Sequence, residues 1–247
     1  KDAFQEVDQQ SLFEPITKKT FTIRQTELIP EILKKAFSLA LTPRCGPVHL
    51  NFPRNILANV CQFDEIQKHK LENLPTVNEN DLINILKIIN KANKPVIIAG
   101  GGVKNSSSHE TVLKISMLLN IPIVSSAGHG DVMPFDERLY AGQMGPRGNS
   151  VASSLVKDAD VILALGTRLG FNSTFYSYDN INKEAKIIQV DIDKISLGRY
   201  FPITLGICND VKDLTEKLLI KIKEENISSS FKSWTENFLE NKKDYLE

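Results

Sequence analysis

The sequence predicts an α/β fold built on a doubly wound parallel sheet. From Asp81 onward, short apolar runs alternate with segments of helical periodicity, which is the pattern of a parallel sheet covered by helices on both faces. Glycine or acidic residues follow several of these runs, as at Gly100 and Asp191. Ligands of such sheets bind at the carboxyl ends of the strands, so the same pattern predicts a site there.

The first part of the chain is less regular. Apolar residues at helical spacing predict a helix over Leu28–Ala40, and Val48–Phe52 is interpreted as a buried strand that ends at Pro53. The stretch Ala58–Glu79 is polar, contains Pro75 and has no period, so it predicts a linker.

The regular elements follow in order along the rest of the chain. Helices are predicted at Asp81–Asn90, Ser106–Asn120, Ser150–Val156 and Val211–Lys223, and strands at Pro95–Ala99, Ile121–Ser125, Ala159–Leu165, Ala185–Val190 and Ile203–Ile207. The glycine-rich segment Gly142–Gly148 is interpreted as a flexible loop, and the charged segment Glu224–Glu247 as a linker that becomes helical.

The composition excludes several classes of function. The 247 residues include 30 Lys or Arg and 30 Asp or Glu, so no basic excess favours nucleic acid or an anionic membrane surface. The apolar runs are too short to span a bilayer. Three widely spaced cysteines without a CxxC pair predict a reducing, cytoplasmic location without disulfides or a zinc site. The first residues lack an initiator Met and a signal-peptide pattern, so we expect the chain to begin within a longer protein.

Two glycine-rich segments are candidate phosphate sites. Glycine lets a backbone approach a phosphate closely, so Gly100-Gly101-Gly102 predicts either a nucleotide contact or a plain tight turn. Within Gly142–Gly148, Met144 could pack against a flat ring and Arg147 could meet a phosphate. The alternative for this second segment is a loop exposed to solvent.

Polar side chains after two later strands suit the remainder of a nucleotide. Arg168 can pair with a phosphate through two hydrogen bonds, or form a surface ion pair instead. Asp191 and Asp193 can accept hydrogen bonds from ribose hydroxyls, although Asp193 also suits a helix cap. Of the histidines, only His129 is placed near a ligand. No catalytic triad or metal-binding spacing is visible in the sequence, so the residues predict no self-contained catalytic centre.

Several motifs, in order, resemble those of thiamine-diphosphate-dependent enzymes of the acetolactate synthase type. The last third of the family's pyrimidine-binding domain is resembled by Phe4–Asp8, Pro15–Lys18 and Gly46–Arg54. The family's central domain is resembled by Gly100–Val103, Gly142–Gly148, Asp158–Leu169 and Ile187–Asp193. The resemblance implies the end of a pyrimidine-binding domain at 1–57, a linker at 58–79, a central nucleotide-binding-like domain at 80–224, and at 225–247 a linker towards an absent diphosphate-binding domain.

In that family the central domain has a six-stranded Rossmann-like fold, and the resemblance implies the same fold here. The domain binds FAD in acetolactate synthases and ADP in oxalyl-CoA decarboxylase, and it is empty in many others. By resemblance, the nucleotide would touch Gly100, Gly101, Gly102, Ser125, Ser126, Met144, Gly145, Gly166, Thr167, Arg168, Asp191, Ile192, Asn209 and Asp210. Phe4, Gln5 and Lys18 would lie near an active-site cleft that is completed across a dimer interface.

The resemblance also implies the function of a longer parent protein. That protein would be a carboligase or 2-oxo-acid decarboxylase, a homodimer or homotetramer, using thiamine diphosphate and magnesium on a small-molecule 2-oxo acid or related substrate. The family's activating glutamate belongs upstream of Lys1, and its magnesium-binding GDG…NN motif belongs downstream of Glu247. Neither is found in this sequence, so we expect this chain alone to be inactive.

One segment departs from the acetolactate synthase pattern. Acetolactate synthases carry Arg-Phe-Asp-Asp-Arg where this chain has Arg168–Thr174, and the sequence here looks closer to sulfoacetaldehyde acetyltransferase. The alternatives are therefore that branch, an oxalyl-CoA decarboxylase-like branch, or a non-catalytic nucleotide-binding structural module. An NAD-dependent oxidoreductase is disfavoured, because the chain lacks GxGxxG and such an enzyme has no place for the Phe4–Arg54 segment.

Overall fold

The computed structural model describes residues 4, 6–63, 76–227 and 231–246. The chain divides into two units, Lys1–Asn73 and Leu74–Glu247, and each has its own sheet. The candidate nucleotide residues all belong to the second unit, which also contains the larger sheet.

The first unit is a small α/β arrangement around a two-stranded parallel sheet. In chain order its elements are helix α1 (Gln9–Phe13), strand β1 (Lys19–Thr22), helix α2 (Ile29–Leu41), strand β2 (Val48–Asn51) and helix α3 (Arg54–Ala58). The predicted helix is present as α2, with both ends moved by one residue. The predicted strand is present as β2 and ends one residue earlier, but it is only partly buried, whereas a buried strand was expected. Strand β1 was not predicted, because its Lys, Thr and Phe residues show no long apolar run.

The second unit is built on a six-stranded parallel sheet. Its strands are β3 (Pro95–Ala99), β4 (Ile123–Ser125), β5 (Tyr140–Gln143), β6 (Val161–Leu165), β7 (Lys186–Asp191) and β8 (Leu205–Cys208). Its helices are α4 (Glu79–Ile89), α5 (Gly101–Asn105), α6 (His109–Leu119), α7 (Ser150–Asp158), α8 (Phe171–Thr174), α9 (Val211–Glu224) and α10 (Lys232–Leu246). The predicted fold class is confirmed.

The order of the strands is β5-β4-β3-β6-β7-β8. This is the doubly wound order of dinucleotide-binding folds. From the centre of the sheet, the first three strands are added towards one edge, and the next three are added towards the other edge. The direction reverses between β3 and β6, which pair in register from Pro95 opposite Val161 to Ala99 opposite Leu165. Ligands of such sheets bind in the crevice outside this reversal point.

Helices cover both faces of this sheet, which explains why most residues of its central strands are apolar. Val96 and Ile98 of β3 belong to a core that includes α7 and α10, whereas Ile97 and Ala99 belong to a core with α4, α6 and α9. Successive side chains of a strand point to opposite faces, so both sets must be apolar.

Helix α10 packs against the second unit. Phe238 is buried in the core, the Trp234 indole N–H donates to the Pro95 carbonyl at 3.0 Å, and the Thr235 hydroxyl donates to the Asn120 carbonyl at 2.6 Å. The helical character expected of this segment is present. Phe238 is a core residue and Trp234 is partly buried against the core, whereas Tyr245 is exposed. The sequence alone indicated a linker.

The interpretation of Gly142–Gly148 as a flexible loop is wrong. Gly142 lies within β5 with a φ of +94°, and a Cβ there would overlap the Asn149 side chain. A Cβ at Gly148 would overlap the Gln143 carbonyl oxygen. These glycines belong to a tightly packed turn, because a Cβ would clash with the Asn149 side chain at Gly142 and with the Gln143 backbone at Gly148.

The turns that follow β3 and β6 are in direct backbone contact. The Gly100 N–H donates to the Leu165 carbonyl at 2.9 Å, and the Gly102 N–H donates to the Gly166 carbonyl at 3.0 Å. A Cβ at Gly166 would overlap the Gly102 Cα, and Gly166 has a φ of +59°. Only glycine satisfies both the backbone conformation and the spacing.

We expect Gly166→Ala to lower the free energy of unfolding by about 2–4 kcal/mol, from the left-handed backbone and the clash together. Gly170→Ala is a matched control in the same loop, since a Cβ there meets nothing within 4 Å. Because Gly170 is also the N-cap of α8, where Ala is less favourable than Gly, its effect should stay within about 1 kcal/mol. Urea unfolding of the two variants measures the difference. Equal stability of the two variants would contradict the contact described.

Candidate functional site

The carboxyl ends of all six strands of the second unit meet at one edge of its sheet, because the strands are parallel. The predicted nucleotide residues follow or end these strands, and each strand contributes at least two of them. They are Gly100, Gly101 and Gly102 after β3, Ser125 and Ser126 at β4, Met144 and Gly145 after β5, Gly166, Thr167 and Arg168 after β6, Asp191 and Ile192 at β7, and Asn209 and Asp210 after β8. The structure thus brings the set to one edge.

The triple glycine serves the packing of this edge. The N–H groups of Gly100 and Gly102 already donate to carbonyls of the β6 turn, and helix α5 begins at Gly101. The tight-turn alternative therefore describes Gly100 and Gly102. Gly101 has a different neighbour, because a Cβ there would lie 2.8 Å from Cε1 of His129. The imidazole of His129 thus lies directly against the glycine turn.

A buried hydroxyl network holds the loop that carries His129. The Tyr140 hydroxyl lies 2.8 Å from the Ser125 hydroxyl and donates to the Gly130 carbonyl at 3.1 Å. Both Ser125 and Tyr140 are almost completely buried. Burial raises the pKa of the Tyr140 hydroxyl, although its bond to Ser125 opposes that rise. The Ser125 side chain is therefore a structural part of the loop.

The residues after β5 are also buried. Met144 has no exposed surface, so its side chain packs in the core and does not form the face expected for a flat ring. Gly145 has a φ of +100°, and a Cβ there would lie 2.9 Å from the carbonyl oxygens of Asn172 and Ser173. This contact joins the β5 turn to helix α8. Arg147, in contrast, is exposed.

The loop after β6 presents the clearest candidate for an anion contact. Arg168 is exposed at the edge, directly after the buried residue Thr167. Ser173, in the helix α8 at the end of this loop, accepts a hydrogen bond from the Ala127 N–H at 2.9 Å. The loops after β4 and β6 are therefore joined, and Arg168 projects from a backbone that is held on both sides. An arginine in this position suits a phosphate, whose oxygens accept its forked donors.

The acidic residues at β7 and β8 mainly bond to nearby backbone. Asp191 is buried and accepts from the Asp193 N–H at 2.9 Å, while Asp193 accepts from the Ile195 N–H at 3.0 Å. The cap alternative therefore holds for Asp193. Asp210 caps α9 by accepting from the Lys212 N–H at 2.7 Å, and Asn209 before it is buried.

Sequence reasoning missed an aromatic cluster beside these loops, formed by the rings of Phe171, Phe175, Tyr176 and Tyr200. The rings of Tyr176 and Tyr200 pack in a tilted arrangement with centroids 4.5 Å apart, and Phe171 stacks on Phe175 at 4.8 Å. Phe175 and Tyr176 have φ angles of +49° and +56°, a strained region for bulky residues. The density of aromatic residues between Phe171 and Tyr178 was the available signal.

The residues predicted near the catalytic cleft belong to the first unit. Phe4 is 92% exposed, and Gln5 lies outside the described residues. The Lys18 ammonium donates to the Thr42 carbonyl at 3.2 Å, and the Lys18 stem lies beside Gly46. Lys18 is thus fixed by contacts within its own unit.

Metal-ligand clusters and membrane-spanning helices are both absent from the described residues. No group of three or more His, Cys, Asp or Glu side chains in that part of the chain is placed to hold a metal ion. Across the same ranges, none of the helices combines the length and apolar character needed to cross a membrane.

Comparison with known proteins shows the family. A family model described as the central domain of thiamine pyrophosphate enzymes matches residues 82–218, which is the sheet and helices of the second unit from α4 to α9. The chain belongs to the thiamine-diphosphate-dependent enzymes. Thiamine pyrophosphate and thiamine diphosphate are the same cofactor.

Relatives of two kinds are similar to this family member. A probable acetolactate synthase large subunit of Methanococcus aeolicus is 32% identical, and the match covers 96% of this chain and 42% of that relative. The acetolactate synthase large subunit of Haemophilus influenzae is 30% identical, and the match covers 94% of this chain and 42% of that relative. A probable sulfoacetaldehyde acetyltransferase of Rhizobium meliloti is 33% identical over 87% of this chain and 36% of its own length. The chain thus spans about two fifths of the length of these relatives.

We expect Tyr140→Phe to lower the free energy of unfolding by about 1 kcal/mol at neutral pH, through loss of the hydroxyl network. Folding raises the Tyr140 pKa. The stability that the Tyr140 hydroxyl contributes is therefore fully present below about pH 10 and is lost as the pH rises towards the folded pKa. The stability difference between wild type and Tyr140→Phe should therefore narrow above about pH 10. Tyr178→Phe, at a ring 43% exposed, is the control. If the stability difference between wild type and Tyr140→Phe stayed constant above about pH 10, the raised pKa of Tyr140 would be contradicted.

Proposed function

We propose that this chain is part of a thiamine-diphosphate-dependent carboligase or 2-oxo-acid decarboxylase of the acetolactate synthase type. The similarity to acetolactate synthase large subunits over nearly the whole chain supports this proposal. In the proposed reaction a 2-oxo acid loses carbon dioxide, and the remaining fragment is transferred to an acceptor carbonyl. The complete protein is proposed to be a cytoplasmic homodimer or homotetramer.

Thiamine diphosphate and magnesium are proposed to be held mainly by residues beyond this chain, since the chain spans about two fifths of its relatives. The described residues offer no cluster of metal ligands, so they do not fit magnesium. When bound, thiamine diphosphate supplies the carbon centre that attacks the substrate carbonyl and holds the electron pair left by carbon dioxide. The proposed contribution of Phe4, Gln5 and Lys18 is to line the cleft across a dimer interface.

The second unit is proposed to bind a nucleotide, FAD or ADP, at the carboxyl edge of its sheet. The observation that carries this proposal is the strand order, which reverses between β3 and β6 where doubly wound folds bind nucleotides. Arg168 is exposed at that edge and suits the diphosphate. In the loop after β4, a Cβ at Gly128 would meet no atom within 4 Å, so there is open space beside it. Gly100 and Gly102 shape the edge through backbone hydrogen bonds to the turn after β6.

A sulfoacetaldehyde acetyltransferase is the second candidate for the parent protein. The observations that favour it are the Rhizobium meliloti relative and the Arg168–Thr174 segment, which lacks the paired aspartates of acetolactate synthases. That segment continues into helix α8, beside the proposed nucleotide site, so the two branches would differ at this position.

We expect the complete parent protein, supplied with thiamine diphosphate, magnesium and pyruvate, to release carbon dioxide and form a carboligation product. The 247-residue chain in the same assay should release none, because residues outside it are proposed to hold the cofactor. The measurement is carbon dioxide release from pyruvate. With sulfoacetaldehyde and phosphate in place of pyruvate, the release of sulfite and the formation of acetyl phosphate are measured instead, because sulfoacetaldehyde has no carboxylate to lose. A parent protein that is active only on sulfoacetaldehyde would contradict the acetolactate synthase proposal and support the second candidate.

We expect the chain to bind ADP or FAD in a calorimetric titration, and Arg168→Ala to weaken that binding about tenfold or more, since a charge-assisted hydrogen bond contributes about 1.5–3 kcal/mol. Lys157→Ala is a charge-matched control, because Lys157 is exposed at the end of α7, at the opposite edge of the sheet. Equal weakening by both variants would indicate a general effect of charge. Absence of binding at millimolar nucleotide would make the second unit a structural spacer.

A further inference from the structure

A buried glutamine lies beneath the two loops that follow β6 and β7. Gln189 is on β7 and is only 2% exposed. Its amide nitrogen donates to the Thr167 carbonyl at 3.0 Å and to the Ser196 carbonyl at 3.1 Å. Its amide oxygen accepts from the Gly198 N–H at 2.8 Å. Both amide hydrogens are therefore used, and the oxygen has a partner.

The Gln189 side chain bonds to backbone on two different loops. Thr167 belongs to the loop after β6, whereas Ser196 and Gly198 belong to the loop after β7. A side-chain amide offers two donors and an acceptor together. An apolar residue here would leave the carbonyls of Thr167 and Ser196 without this partner in a buried setting, which costs more than an ordinary hydrogen bond contributes.

A second contact joins the same two loops farther from the sheet. The rings of Tyr176 and Tyr200 lie 4.5 Å apart, and hydrogen bonding between their hydroxyls raises the pKa of Tyr176. Tyr176 lies just after α8, in the connection from β6 to β7, and Tyr200 is in the loop after β7. Gln189 therefore fixes the loops at their base, while the two tyrosines meet farther out.

These loops carry the groups assigned to the nucleotide. Arg168 directly follows Thr167, and Asp191 and Ile192 begin the loop that continues to Ser196. The distance between Arg168 and Asp191 thus depends on how the two loops are joined. A ligand that spans both loops binds well only if that distance is set in advance, because ordering loops on binding reduces affinity.

We propose that Gln189 is a positioning residue that sets the spacing of the loops after β6 and β7, and so prepares the edge for a nucleotide diphosphate and ribose. Its effect on affinity rests on the proposed nucleotide-binding function. The side chain does not touch the ligand; it acts through the Thr167 carbonyl and the backbone at 196–198.

The test uses two substitutions and one control in the 247-residue chain. Gln189→Met keeps the length of the side chain and removes all three hydrogen bonds. Gln189→Glu keeps an acceptor for the Gly198 N–H and removes both donors, and it provides a second variant if the first does not fold. Asn182→Leu is the control, since Asn182 donates to the Ala159 carbonyl at 2.9 Å and accepts from the Glu184 N–H at 3.0 Å at the amino edge of the sheet.

Two readouts separate positioning from general stability. In Gln189→Met, amide hydrogen exchange should become faster in both loops, 166–170 and 195–200. In Gln189→Glu, the loops should also exchange faster, but exchange of the Gly198 amide should stay unchanged. Calorimetry with ADP, then FAD, should show affinity weakened about tenfold in Gln189→Met, the usual size of effect when a group that orients a binding residue is lost. Asn182→Leu should leave both readouts unchanged at these loops.

The outcomes distinguish this proposal from the proposed function. The positioning role would be overturned if amide exchange at 166–170 were unchanged in both Gln189 variants. It would also be overturned if a variant with faster exchange in these loops bound the nucleotide with unchanged affinity. If wild type binds neither ADP nor FAD, nucleotide binding by the second unit is wrong. The exchange data then decide the role of Gln189 alone, and faster exchange in both loops supports it.

Discussion

The contact between the glycine turns after β3 and β6 is the constraint on which the second unit depends. These two central strands meet where the strand order reverses, and the Gly102 and Gly166 backbones touch with no room for a Cβ. Since β3 and β6 pair along their whole length, any increase in that spacing would separate their turns and shift α5. The loops on either side of the reversal point take their positions from this contact.

Burial on both faces of the sheet leaves its edges as the place for polar chemistry. At the carboxyl edge most polar groups are already bonded within the protein, as Ser125 is to Tyr140 and Gln189 is to the backbone of two loops. Arg168 differs, because it is exposed. The edge is thus a rigid frame that presents few groups, which is the arrangement expected of a preformed binding site. Membership of the thiamine-diphosphate family and the proposed nucleotide site are compatible with one another.

The sequence predicted the strands well where both faces are buried, because a short uninterrupted apolar run between turn residues is typical of such a strand. Pro95–Ala99 is the clearest example, with bounds identical to those of β3. Prediction failed at β5, since Tyr140–Gln143 contains a glycine whose role is contact with Asn149. The strand ends also placed the candidate residues correctly at one edge. Which of them face a ligand could not be predicted, because that depends on non-local bonds such as those of Gln189.

The central claim is that the carboxyl edge of the second unit is a nucleotide site in a member of this family. A crystal structure of the chain grown with saturating ADP or FAD tests it most directly. We predict density for a diphosphate beside Arg168, between the loops after β6 and β7 and outside the β3–β6 reversal point. Ordered nucleotide at another surface, or an edge without nucleotide at saturating concentration, would contradict the claim.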